Sequence, residues 1–312
     1  MINPISYEIL PYKGTESLYA FTKPNYDLTI RITDFCNYKC HYCQWHYGKH
    51  YELSDIKQSL STVVDITKYD NYRIYFHGGE PTSHPKLFEV LDYCFSLPKG
   101  IVCELQTNLS RNEAYLIKLI DRVAGKQFEV SASYHPTQAK DFNEFINKLD
   151  LLHANKVLGK IDVMLDHDSA LRDTIINNCN QLLKRDYSDR IEFIHSYINY
   201  PSVSHLYSEY VNTGSKFSAR YKVTDSAGTR ICDTNDLYKE GINFTGWKCQ
   251  VGKQYIILNG NGDYYMCCSN MLDNVPAGNL IKNPGLFKIR TKAPTICKWK
   301  SCHGEFYIEK TK

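Results

Sequence analysis

Five segments between residues 27 and 166 share one pattern, and it narrows the possible folds sharply. Leu28, Ile30 and Ile32 alternate with Thr29, Arg31 and Thr33, and Ile74 and Phe76 with Arg73, Tyr75 and His77. Leu105 and Thr107 alternate with Glu104, Gln106 and Asn108, and Val130 and Ala132 with Glu129, Ser131 and Ser133. Ile161, Val163 and Leu165 alternate with Asp162, Met164 and Asp166. A period of two marks strands. Strands are expected over 27–33, 72–77, 101–107, 127–133, 160–166 and 190–196. Helices are expected over 54–68, 84–97, 110–124, 138–155 and 170–185. Such repetition implies parallel strands joined by crossover helices. Parallel strands covered on both faces read as continuous aliphatic runs; these do not. The aliphatic set suits a helix layer, and the other set lines a polar lumen. Buried polar groups are costly unless paired, so such a lumen holds water or a ligand. Six units are too few for a closed eight-fold barrel.

The 312 residues suffice for one large α/β domain and a smaller unit. Net charge is +3, too balanced for a dedicated nucleic-acid binder. One basic stretch, 280–312, holds eight Lys or Arg against Glu305 and Glu309. It could attract a phosphate, offset a thiolate-bound metal centre, or simply be a solvated face. The N-terminal run Met1-Ile2-Asn3-Pro4-Ile5-Ser6 has no signal pattern, and no apolar run reaches membrane-spanning length. A cytoplasmic protein with no membrane partner is expected. There, twelve cysteines argue for metal rather than disulfides.

Cys36, Cys40 and Cys43 are spaced C-x3-C-x2-C, a chelate for a soft metal centre. Three thiolates are one short of the usual set for zinc or a [4Fe–4S] cluster. Zinc would recruit a nearby histidine, and His41, His46 and His50 are at hand. A cluster would keep one iron open for a small molecule. His77-Gly78-Gly79-Glu80-Pro81 then closes the next strand. Alone, Gly-Gly before a carboxylate is a turn. Glycine also lets backbone approach a ligand closely.

Together, the triplet with Tyr42 before its last cysteine and the Gly78-Gly79-Glu80 motif resemble the radical S-adenosylmethionine (AdoMet) family. The resemblance covers residues 25–200. It implies an open (β/α)6 partial barrel, with a [4Fe–4S] cluster on Cys36, Cys40 and Cys43. It implies AdoMet on the open iron, cleaved by a cluster electron to a 5′-deoxyadenosyl radical. It implies AdoMet contacts at Tyr42, Gly78, Gly79 and Glu80. Ser133 and Asn108 stand where family members place further contacts; a plain barrel-mouth hydrogen bonder is the alternative for each.

Cys249 and Cys267 are spaced C-x12-G-x4-C around Gly262, and Cys297 and Cys302 follow. The stretch Tyr255–Tyr265 reads as a β-hairpin, which brings its flanking cysteines together. This group resembles the SPASM/twitch auxiliary domains, and four ligands suit the shorter twitch form with one auxiliary [4Fe–4S] cluster. Cys268 could replace Cys267, and a zinc ribbon is the alternative. The expected organisation is an N-terminal extension (1–24), the partial barrel (25–200), a bridging segment (201–244) and the auxiliary domain (245–312). Cys94, Cys103 and Cys179 read as buried small hydrophobes. Cys232 lies in a polar stretch of the bridge and is a candidate hydrogen-atom donor.

By resemblance, the radical takes a hydrogen atom from a substrate in the lumen. Electron transfer to the auxiliary cluster then gives dehydrogenation; hydrogen return from Cys232 gives epimerisation. Glu104, Glu129, Asp162, Asp166, Arg31 and Arg73 favour a small hydrophilic substrate: a sugar, aminosugar or nucleotide-linked compound. Modification of a ribosomal peptide is the alternative substrate reading, and a zinc-bearing binding protein the non-enzymatic one. An electron donor such as flavodoxin or ferredoxin is the implied partner.

Overall fold

The computed structural model describes residues 1–10, 26–43, 48–195, 202–211, 220–304 and 307–312. After β1 (Ser6–Ile9) come six parallel strands: β2 (Tyr26–Arg31), β3 (Asn71–His77), β4 (Gly100–Thr107), β5 (Phe128–Tyr134), β6 (Leu158–Met164) and β7 (Ile191–Ile194). The helices α1 (Leu53–Thr67), α2 (Leu87–Ser96), α3 (Glu113–Val123), α4 (Phe142–Ala154) and α5 (Arg172–Leu182) link them in turn. Each overlaps its expected range; residue 196 of the last expected strand lies outside the described residues. Side-chain caps start two of the helices. Asn112 accepts from the Tyr115 N–H before α3, and Asp141 from Asn143 and Glu144 before α4.

The two faces of the sheet differ as the alternation predicts. Ile30, Phe76, Leu105, Val130 and Ile161 pack into the main hydrophobic core. On the other face Glu104, Glu129, Ser131, Ser133, Asp162 and Glu192 are also buried. That burial is tolerable because the groups are paired. Ser131 donates to Glu104 at 2.6 Å, and Lys160 bridges Asp162 (2.8 Å) and Glu192 (2.5 Å). Arg73 faces Asp27 at 3.4 Å.

The rest of the chain builds on this frame. After α6 (Ser208–Val211), β8 (Arg220–Asp225) and β9 (Gly228–Asp233) form an antiparallel hairpin, and β1 pairs with β8. The N-terminal segment, expected as an irregular extension, thus supplies a strand; residues 11–24 of that extension lie outside the described residues. Beyond α7 (Thr234–Glu240), the C-terminal part contributes β10 (Lys248–Cys249), β11 (Tyr255–Asn259), β12 (Asp263–Tyr265), α8 (Cys268–Leu272), β13 (Gly278–Asn279), α9 (Pro284–Arg290), β14 (Thr295–Ile296) and β15 (Lys310–Thr311). The expected hairpin is β11–β12, turning through Gly262 at φ +87°. β11 also pairs in parallel with β2, from Tyr255↔Asp27 to Asn259↔Arg31. One nine-stranded sheet results, in the order β13-β12-β11-β2-β3-β4-β5-β6-β7. The barrel is open, and the segment expected as a separate small domain shares its sheet.

Candidate functional site

The cysteine triplet occupies the loop after β2, which several backbone bonds hold. Asp34 N–H donates to Lys49 O (3.0 Å) and Tyr51 N–H to Ile32 O (3.2 Å). The Asp34 carboxylate binds Arg31 and takes the Tyr51 hydroxyl at 2.5 Å. Cys36, Cys40 and Cys43 are all partly buried. Burial pushes the Cys36 thiol up to about 11, with Glu80 and Cys43 adding to the shift. Burial likewise pushes Cys40 up to about 12, with Cys43 and Cys36 adding. Thiolates crowded this way need a cationic centre to stay ionised. The donor set therefore fits a thiolate-bound metal centre.

The glycine motif is built against this loop. Gly79 N–H donates to Thr33 O (3.0 Å) and Glu80 N–H to Phe35 O (2.8 Å). A Cβ on Gly79 would sit 2.1 Å from Phe35 O, and Gly78, at φ +127°, would place one 2.5 Å from Thr33 O. What approaches the glycines closely is the triplet's own loop. Glu80 is buried and committed. Its Oε1 accepts from Thr82 N–H (3.0 Å), Thr82 Oγ1 (2.6 Å) and Thr107 Oγ1 (2.8 Å). Its Oε2 accepts from Asn108 N–H at 2.8 Å. Asn108 in turn donates from Nδ2 to Asn37 Oδ1, inside the triplet, at 3.1 Å. Glu80 and Asn108 thus brace the ends of β3 and β4 against the triplet.

Ser133 lies on the lumen side, accepting from Gln106 Nε2 at 3.0 Å. Gln106 also accepts from the Tyr75 hydroxyl and reaches Asp162 Oδ2 at 3.4 Å. Burial pushes Asp162 up to about 6, against the pull of Lys160. The Tyr42 hydroxyl sits 2.8 Å from His135 Nδ1, with the rings stacked, and Cys40 Sγ is 3.5 Å from the same nitrogen. Burial lowers His135 to about 4, so its imidazole is neutral beside the Tyr42 hydroxyl. His135, Gln106 and Asn37 were not singled out from sequence. The signal for His135 was its position, directly after a barrel strand.

The second cysteine group converges on one region. Cys249 on β10 sits opposite Thr295 on β14 and Lys310 on β15. Cys297 N–H donates to Trp247 O at 2.8 Å, and Cys302 N–H to Ile242 O at 3.0 Å. Cys267 precedes α8, whose Ser269 hydroxyl donates to Ser301 O at 3.1 Å. A Cβ on Gly304 would lie 3.9 Å from Cys268 Sγ, so α8 starts against the segment carrying Cys302. Cys232 is corrected in one respect: it lies on strand β9, not in a polar loop. It is buried with Tyr221, Val223, Leu237 and Trp247, and Cys297 and Cys302 pack on the same cluster.

Residues 30–165 match the model of the Radical SAM superfamily. That stretch is a radical SAM domain. This domain type implies a [4Fe–4S] cluster and AdoMet. A protein of Saccharolobus islandicus (strain L.S.2.15 / Lassen #1) described as "Probable GTP 3′,8-cyclase" is 33% identical over 110 residues. The alignment covers 33% of this chain and 35% of that one, so the chain spans about a third of the curated relatives' length. The structure resembles native anSMEcpe with bound AdoMet, at TM-score 0.56 and 18% identity, covering 86% of this chain and 81% of that chain. A second structure of that protein, with AdoMet and Cp18Cys peptide, gives the same TM-score of 0.56 at 18% identity and the same coverage of 86% and 81%. At this identity the likeness is one of fold. Among the described residues, no helix is long and apolar enough to cross a membrane.

Proposed function

We propose that the chain is a radical SAM enzyme that dehydrogenates a small hydrophilic substrate: a sugar, aminosugar or nucleotide-linked compound. Cys36, Cys40 and Cys43 would hold the [4Fe–4S] cluster, and Cys249, Cys267, Cys297 and Cys302 an auxiliary one. When bound, the first cluster and AdoMet supply a radical that removes a hydrogen atom, and the auxiliary cluster supplies an acceptor for one electron. The chain's own part is positioning. Glu80 and Asn108 hold the triplet loop, and Gln106, Ser133 and Lys160 offer hydrogen bonds to hydroxyl or amine groups. Asp162, raised towards neutrality by burial, takes the hydroxyl proton as an alcohol becomes a carbonyl. The local likeness to a GTP cyclase supports keeping nucleotide-linked compounds in the substrate class. A cytoplasmic setting, with flavodoxin or ferredoxin as reductant, belongs to the same reading.

One observation carries the choice of dehydrogenation. Cys232 is buried in the apolar cluster against which Cys297 and Cys302 pack, whereas the lumen holds Glu104, Gln106 and Asp162. That favours electron acceptance over hydrogen return from Cys232. The test uses cluster-loaded protein with AdoMet, reductant and candidate substrates in D2O. 5′-Deoxyadenosine should rise only with the true substrate class, and the oxidised product should carry no new deuterium. A deuterated, inverted product that disappears in Cys232→Ser would replace this reading with epimerisation.

A further inference from the structure

A second set of metal-type donors lies beside the cysteine triplet. His41, within the triplet, and Asp166 and His167, after β6, bring one donor atom each to within 4.8 Å of one another. The Asp166 side chain is 0% exposed. Its Oδ1 accepts from the Asp168 N–H at 3.0 Å and faces His167 Nδ1 at 3.2 Å. Among the described residues its Oδ2 has no hydrogen-bond partner, and it lies 3.6 Å from His41 Nε2. A buried carboxylate oxygen left in this way is costly and calls for a cationic partner. The two imidazoles meet edge to face at 4.7 Å, and their side chains are 37% and 52% exposed. The tripod is therefore closed behind by Asp166 and open in front.

We infer that His41, Asp166 and His167 bind one divalent first-row transition ion at the barrel rim. Two imidazole nitrogens and a carboxylate oxygen are the donors such ions take, leaving other coordination positions for a substrate oxygen or nitrogen. Ligand bonds of about 2.0–2.2 Å put neighbouring donors roughly 3–3.5 Å apart. The His41–Asp166 separation of 3.6 Å needs only a small side-chain adjustment to meet that spacing. The Asp168 N–H holds the carboxylate by its other oxygen, the outer support that orients metal ligands.

The test compares iron–sulfur-loaded wild type, Asp166→Asn and His167→Ala by anaerobic equilibrium dialysis against Co²⁺ after removal of loose metal. The cysteines are the same in all three, so differences isolate the tripod. Each variant should bind one cobalt fewer per chain at wild-type saturation, or bind it about tenfold or more weakly. Iron content should be unchanged. His167 is exposed, so its variant serves if Asp166→Asn does not load iron. Equal cobalt binding by wild type and His167→Ala, or by wild type and a soluble Asp166→Asn protein, overturns the inference.

Discussion

Replacing Glu80 with glutamine separates two roles for this residue: bracing the triplet or binding AdoMet through a free oxygen. Its carboxylate accepts four hydrogen bonds, three on Oε1 and one on Oε2. Glutamine has the same shape but offers one acceptor oxygen and a donating amide. With the amide at the Oε1 position, three donors lose their acceptor. With it at Oε2, only the Asn108 N–H does, so this orientation prevails. The loss is one charge-assisted bond and one unmatched buried N–H, about 1.5–3 kcal/mol. At about 2–4 °C per kcal/mol, Tm should fall by roughly 3–12 °C. Thermal unfolding of cluster-loaded protein, with and without AdoMet, reads this directly, and calorimetry gives the AdoMet affinity. Bracing predicts a lower Tm in both conditions, with affinity weakened by less than about tenfold. An unchanged Tm with affinity weakened by more than about tenfold would refute it and make Glu80 a direct ligand of AdoMet. Thr107→Val adds a check: it removes a donor to the same carboxylate, so its effect should not add to that of Glu80→Gln.

Anaerobically reconstituted protein should carry about eight irons per chain, and the triple Cys36, Cys40, Cys43→Ala variant about four, by iron and sulfide assay. Zinc in place of iron, with no broad visible absorption, would contradict that assignment. Cys249→Ala or Cys302→Ala should lose the auxiliary cluster yet still produce 5′-deoxyadenosine, while failing to release oxidised product. Asp162 is raised to about 6 in the folded chain, so its base form is lost as pH falls through that value. The rate of product formation should have an acidic limb near there, and Asp162→Asn should abolish the limb and slow turnover by about 10²–10⁴-fold. A limb that survives in Asp162→Asn would point to another base.

The barrel was legible because its signal is local. A side chain such as Val130 or Glu129 declares its face within two residues, and a strand repeats that declaration several times. What the sequence did not reveal was set by partners far along the chain. Nothing local tells Tyr255–Asn259 to pair with β2, whose residues lie more than 220 positions earlier. Cys232 was misplaced for a related reason. Its neighbours Thr229, Arg230 and Asp233 are polar, but β9 needs only one buried face, and Cys232 sits opposite Tyr221 on that face. Glu80 was read from a motif that names the residue but not its bonds. Four donors from Thr82, Thr107 and Asn108 had to be in place before its oxygens were accounted for.

The parallel sheet explains why residues so distant in sequence form one site. Every parallel strand ends on the same rim, so the loops after β2, β3, β4, β5 and β6 must meet there. They carry the cysteine triplet, Gly78-Gly79-Glu80, Asn108, His135 and Asp166. Because β11 also runs parallel to β2, its following turn reaches that rim as well. Gly260 N–H donates to Arg31 O at 2.8 Å, and a Cβ there would lie 2.5 Å from Tyr51 Cβ. Arg31 and Tyr51 both bind the Asp34 carboxylate at the root of the triplet loop. The hairpin between Cys249 and Cys267 therefore presses on the loop that carries Cys36, Cys40 and Cys43. Gly260, Tyr51 and Asp34 thus form a line of direct contacts from the hairpin to the root of the triplet loop.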